Sequence, residues 1–303
     1  MERLCDVCGS KEFNFRFKIR HFRIISCTRC GFIFLNPAPE RTPIEIYQEG
    51  YFTGVEYGRD SYNVEGWNYF DPSHLEEGFQ HAAQALSRIE HFVSSGKVLD
   101  VGCGPGIFLS QAARRGWQVY GFDASGFAVR YAREKMGLAN IRQLDVEEMD
   151  YGTQTFEAIT MFHVIEHVLR PRKLIANCVK HLRPGGVLFI ETPDIGTVRA
   201  RKDGRHWRYI KIPEHLNYFS HGTLTMLLRQ VGLVPVKTFR AVESTGLIVK
   251  MCGSGERARE FYNKWSEKTW FRTTVEYVRA LKTIISGMLF KDYDIVTVIA
   301  RKP

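Results

Sequence analysis

The spacing of apolar and polar positions changes at residue 97. From there on, short apolar runs of strand length alternate with stretches in which apolar residues recur at helical spacing. This alternation predicts an α/β fold with a doubly wound, Rossmann-like parallel sheet. The predicted strands are 97–101, 118–122, 141–144, 158–162, 187–191, 234–240 and 295–300. The predicted helices are 107–115, 126–136, 174–181 and 223–230, with a turn at 182–186.

Two further regions precede this main domain, which is predicted to span 97–303. Residues 1–39 form a unit of their own, in which polar-apolar alternation over 13–19 predicts a short strand. For residues 40–96 we predict a partly irregular lid followed by a helix over roughly 74–94. Most tyrosines of this region are expected to pack against the main domain. The apolar stripe of that helix is Phe79, Ala82, Ala83, Leu86, Ile89 and Phe92.

The first unit contains two Cys-x-x-Cys pairs, each followed by glycine: Cys5 with Cys8, and Cys27 with Cys30. Zinc prefers four thiolates in a tetrahedron, and each pair supplies two of them. The spacing therefore predicts a structural zinc ribbon. A redox pair or unpaired buried thiols are the alternative that the spacing disfavours.

The loop after the first predicted strand of the main domain is rich in glycine. It contains Asp100, Gly102, Gly104 and Gly106. Glycines here allow a ligand to approach the backbone closely, and Ile107 replaces the third glycine of a dinucleotide fingerprint. The loop thus suits a nucleoside ligand without pyrophosphate. Asp123 ends the second strand, where a carboxylate can accept both ribose hydroxyls, and Asp145 ends the third, where it can accept from an adenine amine.

The glycine loop, the two later aspartates and Leu182-Arg-Pro-Gly-Gly186 resemble the successive motifs of class I S-adenosylmethionine-dependent methyltransferases. The resemblance implies that the last strand lies antiparallel between the fifth and sixth. It also implies that Gly102 and Gly104 contact the methionine part of S-adenosylmethionine, that Asp123 holds the ribose, and that Asp145 and Val146 hold the adenine. Asp100, Gly106 and His163 complete the expected cofactor site.

The cysteine pairs, taken with Pro213-Glu214-His215-Leu-Asn-Tyr218-Phe219-Ser220, narrow the resemblance. The combination is similar to bacterial methyltransferases of secondary metabolism and surface-sugar pathways. These include sugar C-methyltransferases with an N-terminal zinc-binding domain. A small-molecule or sugar-linked acceptor is the expectation that follows.

His163-Val-Ile-Glu166-His167 follows the fourth predicted strand. It formally matches the motif of inverted zinc metalloproteases, but that motif belongs inside a helix. A divalent ion is a further alternative, which the ligand types do not favour because His163 stands where metal-binding methyltransferases carry glutamate. The preferred interpretation is that His167 packs structurally and that His163 borders the methyl-transfer site.

Glu214 and His215 follow the fifth predicted strand, on the side where a donor sulfonium would lie. Transfer to a neutral hydroxyl or a carbon acid needs a base, and a histidine suits that task. A neighbouring carboxylate would orient the imidazole and stabilise its charged form. The catalytic candidates are therefore Glu214, His215 and His163, against the alternative that the pair only ties its loop to the sheet.

The formal net charge of +9 lies in two segments. Residues 199–211 have six basic and one acidic residue (+5), and residues 252–291 have eight basic and four acidic (+4). Such local patches fit an anionic small molecule, such as a phosphate- or lipid-linked sugar, better than nucleic acid. The segment 252–291 interrupts the last two strands. Its apolar residues at helical spacing suit its own sheet, a homodimer contact or an anionic membrane surface.

The sequence thus predicts an enzyme that transfers a methyl group from S-adenosylmethionine to oxygen or carbon of a small acceptor. The alternatives are an RNA or protein methyltransferase that uses the zinc ribbon for recognition, and a non-catalytic cofactor-binding scaffold. No apolar run is long enough to span a bilayer and no signal peptide is evident, so a cytoplasmic location is expected, with possible peripheral contact to the membrane.

Overall fold

The computed structural model describes residues 4–38, 46–54, 68–241 and 294–303. The segment 252–291 lies outside these residues, so its contact with a sheet, a second subunit or a membrane stays a prediction. Among the described residues, no helix has both the length and the apolar character needed to cross a membrane.

Seven strands form the main sheet in the order β10-β11-β8-β7-β4-β5-β6. Six of them point in the same direction, and the last strand of the chain lies antiparallel between its two neighbours, as the resemblance implied. The strands are β4 (Lys97–Val101), β5 (Gln118–Asp123), β6 (Ile141–Gln143), β7 (Phe156–Phe162), β8 (Leu182–Pro193), β10 (Val234–Ala241) and β11 (Ile295–Arg301). The predicted Rossmann-like α/β fold is confirmed.

Helices cover both faces of this sheet, which is why its central strands are almost continuously apolar. One face carries α2 (Pro72–Glu90), α3 (Ile107–Arg114) and α4 (Gly126–Glu134). The other carries α5 (Pro171–His181) and α7 (His221–Gln230), while the short helices α1 (Glu49–Thr53) and α6 (Val198–Asp203) lie in connecting segments. Ser220 begins α7 with a capping box that includes Thr223.

A second, four-stranded sheet contains the N-terminal cysteines. It has the order β1-β2-β3-β9 and is antiparallel. Its strands are β1 (Phe13–Ile19), β2 (Phe22–Cys27), β3 (Ile33–Asn36) and β9 (Asn217–Tyr218). The predicted strand over 13–19 is present, whereas β2, β3 and β9 had no period-2 signal strong enough to predict them.

Some boundaries differ from the sequence-based expectation. Strand β8 begins at Leu182 and includes the predicted turn at 182–186, because Leu182 and Val187 both pair with β7 across an irregularity that contains the left-handed Gly185. Helix α2 is shorter than predicted, and its buried residues include Ala85, whereas Ala83 is only half-buried. Phe79 and Phe92 of the predicted stripe are half-buried too.

Candidate functional site

The glycine loop leaves β4 and enters α3 through three left-handed glycines, with φ of 67° at Gly102, 51° at Gly104 and 84° at Gly106. A Cβ at Gly102 would lie 2.6 Å from Val164, and a Cβ at Gly106 would lie 2.6 Å from Leu138. Both positions therefore require glycine for conformational and steric reasons. At Gly104 the nearest described atom to an added Cβ belongs to Phe52, at 3.9 Å, which is an ordinary van der Waals contact, so this part of the loop is not crowded.

Asp123 lies at the end of β5 and contacts this loop directly. One carboxylate oxygen accepts a hydrogen bond from the Gly104 amide and the other accepts from the Ser125 amide, both at 2.8 Å. Burial raises the pKa of Asp123, and the two amides oppose that shift. The structure therefore brings together two of the residues that the sequence assigns to the cofactor.

The remaining cofactor candidates occupy two different settings. Asp100 is buried in β4 and accepts a hydrogen bond from the Thr160 hydroxyl at 2.7 Å; burial raises its pKa to about 8. Its side chain thus joins β4 to the neighbouring strand β7. Asp145 is half-buried and begins a short 3₁₀ turn that includes Val146, with its carboxylate accepting from the Glu147 amide at 2.9 Å.

His163 follows β7 with a left-handed φ of 53°, which is rare for a residue with a side chain. Its Nδ1 lies 3.2 Å from a carboxylate oxygen of buried Glu166, and its Nε2 lies 3.8 Å from a carboxylate oxygen of Glu191. The imidazole is 41% exposed and stands between two buried acids. His163 is thus fixed at the carboxyl edge of the sheet.

Glu191 is a part of the site that the sequence analysis did not single out. It lies near the end of β8, where its Oε1 is 3.0 Å from His81 Nε2 on α2 and its Oε2 accepts from the Thr297 hydroxyl at 2.8 Å. Burial would raise its pKa, but His81, His163 and the hydroxyl outweigh burial and lower the pKa to about 2. The sequence signal that could have identified Glu191 is its position as a charged residue at the end of the apolar run 187–191.

His167 and His215 lie together, with ring centroids 4.7 Å apart in a T-shaped arrangement. The Nδ1 of His215 donates to the Tyr209 carbonyl at 2.8 Å, and the Nδ1 of His167 lies 3.0 Å from the Glu214 carbonyl. A carbonyl can only accept, so the neutral ring of His215 carries its proton on Nδ1 and a lone pair on Nε2. Burial, together with the positive neighbours His167 and Lys211, lowers the pKa of His215 well below 6.5.

Glu214 differs from the expected orienting carboxylate. The backbone carbonyl of Tyr209 takes that role, while one carboxylate oxygen of Glu214 is buried without a hydrogen-bond partner in the described part of the chain. His167 also contacts the Tyr47 hydroxyl at 2.8 Å. Tyr47 is thus one of the aromatic residues of region 40–96 that reaches the site, and it raises the number of polar groups around the two rings.

Among the residues that the structure describes, two clusters of side chains could hold a metal ion. The ligand atoms of Cys5, Cys8, Cys27 and Cys30 lie within 4.8 Å of one another, and so do those of Glu166, His167 and His215. In the first cluster Cys5 and Cys30 have sulfurs 3.5 Å apart, and Cys8 and Cys27 have sulfurs 3.4 Å apart. Four thiolates around zinc at about 2.3 Å would be separated by roughly 3.8 Å, so the sulfurs fit this ion.

A glycine-rich loop against a strand-end carboxylate, in a seven-stranded sheet with an antiparallel last strand, defines a Rossmann-like methyltransferase fold. The family model described as methyltransferase domain matches residues 67–238, more than half of the chain. The chain belongs to this family.

Curated relatives match a shorter part of the chain. The ubiquinone biosynthesis O-methyltransferase of Agrobacterium fabrum is 35% identical over 109 residues, which are 35% of this chain and 43% of that protein. The enzyme of the same name from Rickettsia conorii is 33% identical over 122 residues, 39% of each chain. The chain therefore matches about two-fifths of the length of these relatives.

Solved structures share the fold at low identity. An S-adenosylmethionine-dependent methyltransferase from Archaeoglobus fulgidus has a TM-score of 0.52 at 21% identity, covering 77% of this chain and 100% of that one. Phosphoethanolamine N-methyltransferase 2 from Haemonchus contortus has a TM-score of 0.51 at 17% identity, covering 78% and 58%. Both support the fold alone.

Proposed function

We propose that this chain transfers the methyl group of S-adenosylmethionine to an oxygen atom of a small-molecule acceptor. The observation that carries the proposal is the hydrogen bond from the Gly104 amide to Asp123. It joins the glycine loop to the strand end where a ribose-binding carboxylate is expected. The names of the curated relatives support oxygen over carbon as the acceptor atom.

The residues present fit the cofactor. The loop is not crowded at Gly104. The Asp123 carboxylate, at the end of β5, accepts a hydrogen bond from the Gly104 amide and therefore lies next to this position. We assign the methionine part to the loop, the ribose to Asp123, and the adenine to Asp145 and Val146. When bound, the sulfonium supplies both the methyl group and the leaving group, so the protein mainly has to align the acceptor.

His215 is the proposed base. Its Nδ1 donates to the Tyr209 carbonyl, which leaves Nε2 to accept a proton from an acceptor hydroxyl. Its lowered pKa keeps the ring neutral at physiological pH, as a base must be. The adjacent Glu214, one carboxylate oxygen of which is buried without a hydrogen-bond partner in the described part of the chain, is a further candidate group of this site. His163, fixed between two acids, borders the same cleft.

Segment 199–211 leads directly to this base and supports an anionic acceptor. Trp207, Tyr209 and Ile210 are buried and anchor the segment, whereas Arg205 and Arg208 are exposed. Positive side chains beside the site would attract a phosphate- or sugar-phosphate-bearing molecule. RNA or protein as acceptor, and cofactor binding without turnover, are the outcomes that would contradict this proposal.

The test is product analysis with methyl-labelled S-adenosylmethionine and panels of hydroxylated small molecules, RNA and protein. We expect label in an anionic small molecule and S-adenosylhomocysteine in equal amount. Mass spectrometry of cell extracts with and without the gene then identifies the acceptor. Label in RNA or protein alone would replace the proposal, and cofactor binding without any product would favour the scaffold.

We further propose one structural zinc ion on Cys5, Cys8, Cys27 and Cys30. Besides the sulfur distances, the glycine after each pair supports it: Gly9 and Gly31 have φ of 73° and 76°, and their amides donate to the Cys5 and Cys27 carbonyls. Elemental analysis of protein purified without chelator should give one zinc per chain. The Cys8→Ser variant should lose it, and zinc-free wild-type protein would overturn the assignment.

A further inference from the structure

The N-terminal sheet is joined to the segment that carries the proposed base. Strand β3 pairs with β9, with Ile33 opposite Tyr218 and Phe34 opposite Asn217. The Leu35 amide also donates to the Leu216 carbonyl at 2.9 Å. The backbone that begins immediately after His215 is therefore an added strand of the cysteine-containing sheet.

The same short segment is bound from its other side by the turn that contains Glu166 and His167. The amides of Leu216 and Asn217 both donate to the Glu166 carbonyl, at 2.8 and 2.9 Å. The side-chain amide of Asn217 donates to the Val168 carbonyl at 2.6 Å. One segment thus links β3 to both histidines of the site.

The cysteine-containing unit is itself fixed to the main domain close to this segment. Arg172 on α5 donates to the Asp6 and Val7 carbonyls, between Cys5 and Cys8, at 2.8 and 2.5 Å. Phe32 packs on Phe219 with ring centroids 4.9 Å apart, and both rings are fully buried. Arg172 thus contacts the turn between the first two cysteines, and Phe32 contacts the residue that follows β9.

From these contacts we infer that the cysteine-containing unit holds the acceptor side of the site in place, with Arg172 and Phe32 as positioning residues for methyl transfer. The inference rests on the proposed function. A displacement of 1 Å can cost about 100-fold in rate when alignment is the main catalytic device. The cofactor contacts of Gly104 and Asp123, in contrast, involve no residue of the N-terminal sheet.

Arg172→Gln tests the inference, with Lys180→Gln as the matched control. Lys180 is an exposed cation in the last turn of the same helix. We expect Arg172→Gln to lower turnover about tenfold or more. Its affinity for S-adenosylmethionine, measured by calorimetry, should change less than about twofold. A loss of turnover without a loss of affinity indicates a defect in alignment and not in cofactor binding. Hydrogen exchange at the Leu216 and Asn217 amides should accelerate, whereas the control should match wild type in all three measurements.

If Arg172→Gln does not fold, Phe32→Leu provides a second test. This substitution weakens the contact with Phe219 and removes little side-chain volume. Removal of the zinc with a chelator should accelerate exchange at the same two amides. Unchanged exchange in these samples, or cofactor affinity that falls together with turnover, would overturn the inference. If the wild-type chain methylates nothing, the proposed function fails, and the exchange measurement still decides whether the unit holds this segment.

Discussion

The cofactor side and the acceptor side of the site are built in different ways. The loop and Asp123 lie within one strand-helix-strand unit, where Asp123 bonds to amides 19 and 2 residues away, whereas Asp100 bonds to Thr160, 60 residues away. The acceptor side combines Tyr47, the turn 163–168 and the segment 209–218, which the N-terminal sheet holds together. Cofactor binding should therefore withstand changes that abolish transfer, and the following experiments test that separation.

The largest expected effect is on the acceptor side. His215→Ala removes the proposed base and should lower kcat by about 100- to 10,000-fold, the usual contribution of a positioned base. The affinity for S-adenosylmethionine should stay the same. His91→Ala, at an exposed histidine after α2, serves as the control. Turnover within a few-fold of wild type would remove His215 from the mechanism.

Glu191→Gln should change how stability depends on pH. The folded pKa of about 2 lies below the unfolded value near 4.3, so the stabilisation is present above pH 4.3 and is lost as pH falls toward 2. Wild type should lose on the order of 3 kcal/mol more than the variant over that range, at about 1.4 kcal/mol per pKa unit. Denaturant unfolding at pH 6, 4 and 2.5 measures it. If the free energies of unfolding of wild type and variant change with pH in the same way, His81 and His163 do not stabilise this carboxylate.

Asp123→Ala tests the cofactor side. Loss of the carboxylate should weaken S-adenosylmethionine binding by about tenfold or more, since each hydrogen bond to a charged group contributes roughly 1.5–3 kcal/mol. Asp150→Ala, at an aspartate whose side chain is 80% exposed, is the calorimetric control. Unchanged affinity in Asp123→Ala would contradict the assignment of this strand end to the ribose.

The smallest effect concerns exposed charge. Reversal of Arg205 and Arg208 to glutamate should raise KM for an anionic acceptor by roughly threefold to tenfold, with cofactor affinity unchanged, and the difference should shrink as salt screens it. Reversal of the exposed residues Arg114 and Lys180 to glutamate changes the net charge by the same amount and serves as the control. A KM that is indifferent to both salt and reversal would indicate a neutral acceptor.

The sequence predicts the cofactor side of the site better than the acceptor side, and the reason is physical. The loop and Asp123 are recognisable because a backbone that must approach a ligand needs glycine, and because parallel strands end at one edge of the sheet. The contact of His215 with His167, and those of Glu191 with His81 and Thr297, join segments that are far apart in sequence. The four-residue strand β3 and the two-residue strand β9 are too short for periodicity to predict their pairing.

The left-handed backbone of His163 has an evolutionary consequence. A non-glycine residue in this conformation costs on the order of 1 kcal/mol, which glycine would recover. Glycine at position 163 would relieve this cost but would also remove the imidazole that favours the charged forms of the buried acids Glu166 and Glu191. In lineages that have lost the activity, a change to glycine or asparagine here should therefore be accompanied by replacement of one of these two acids.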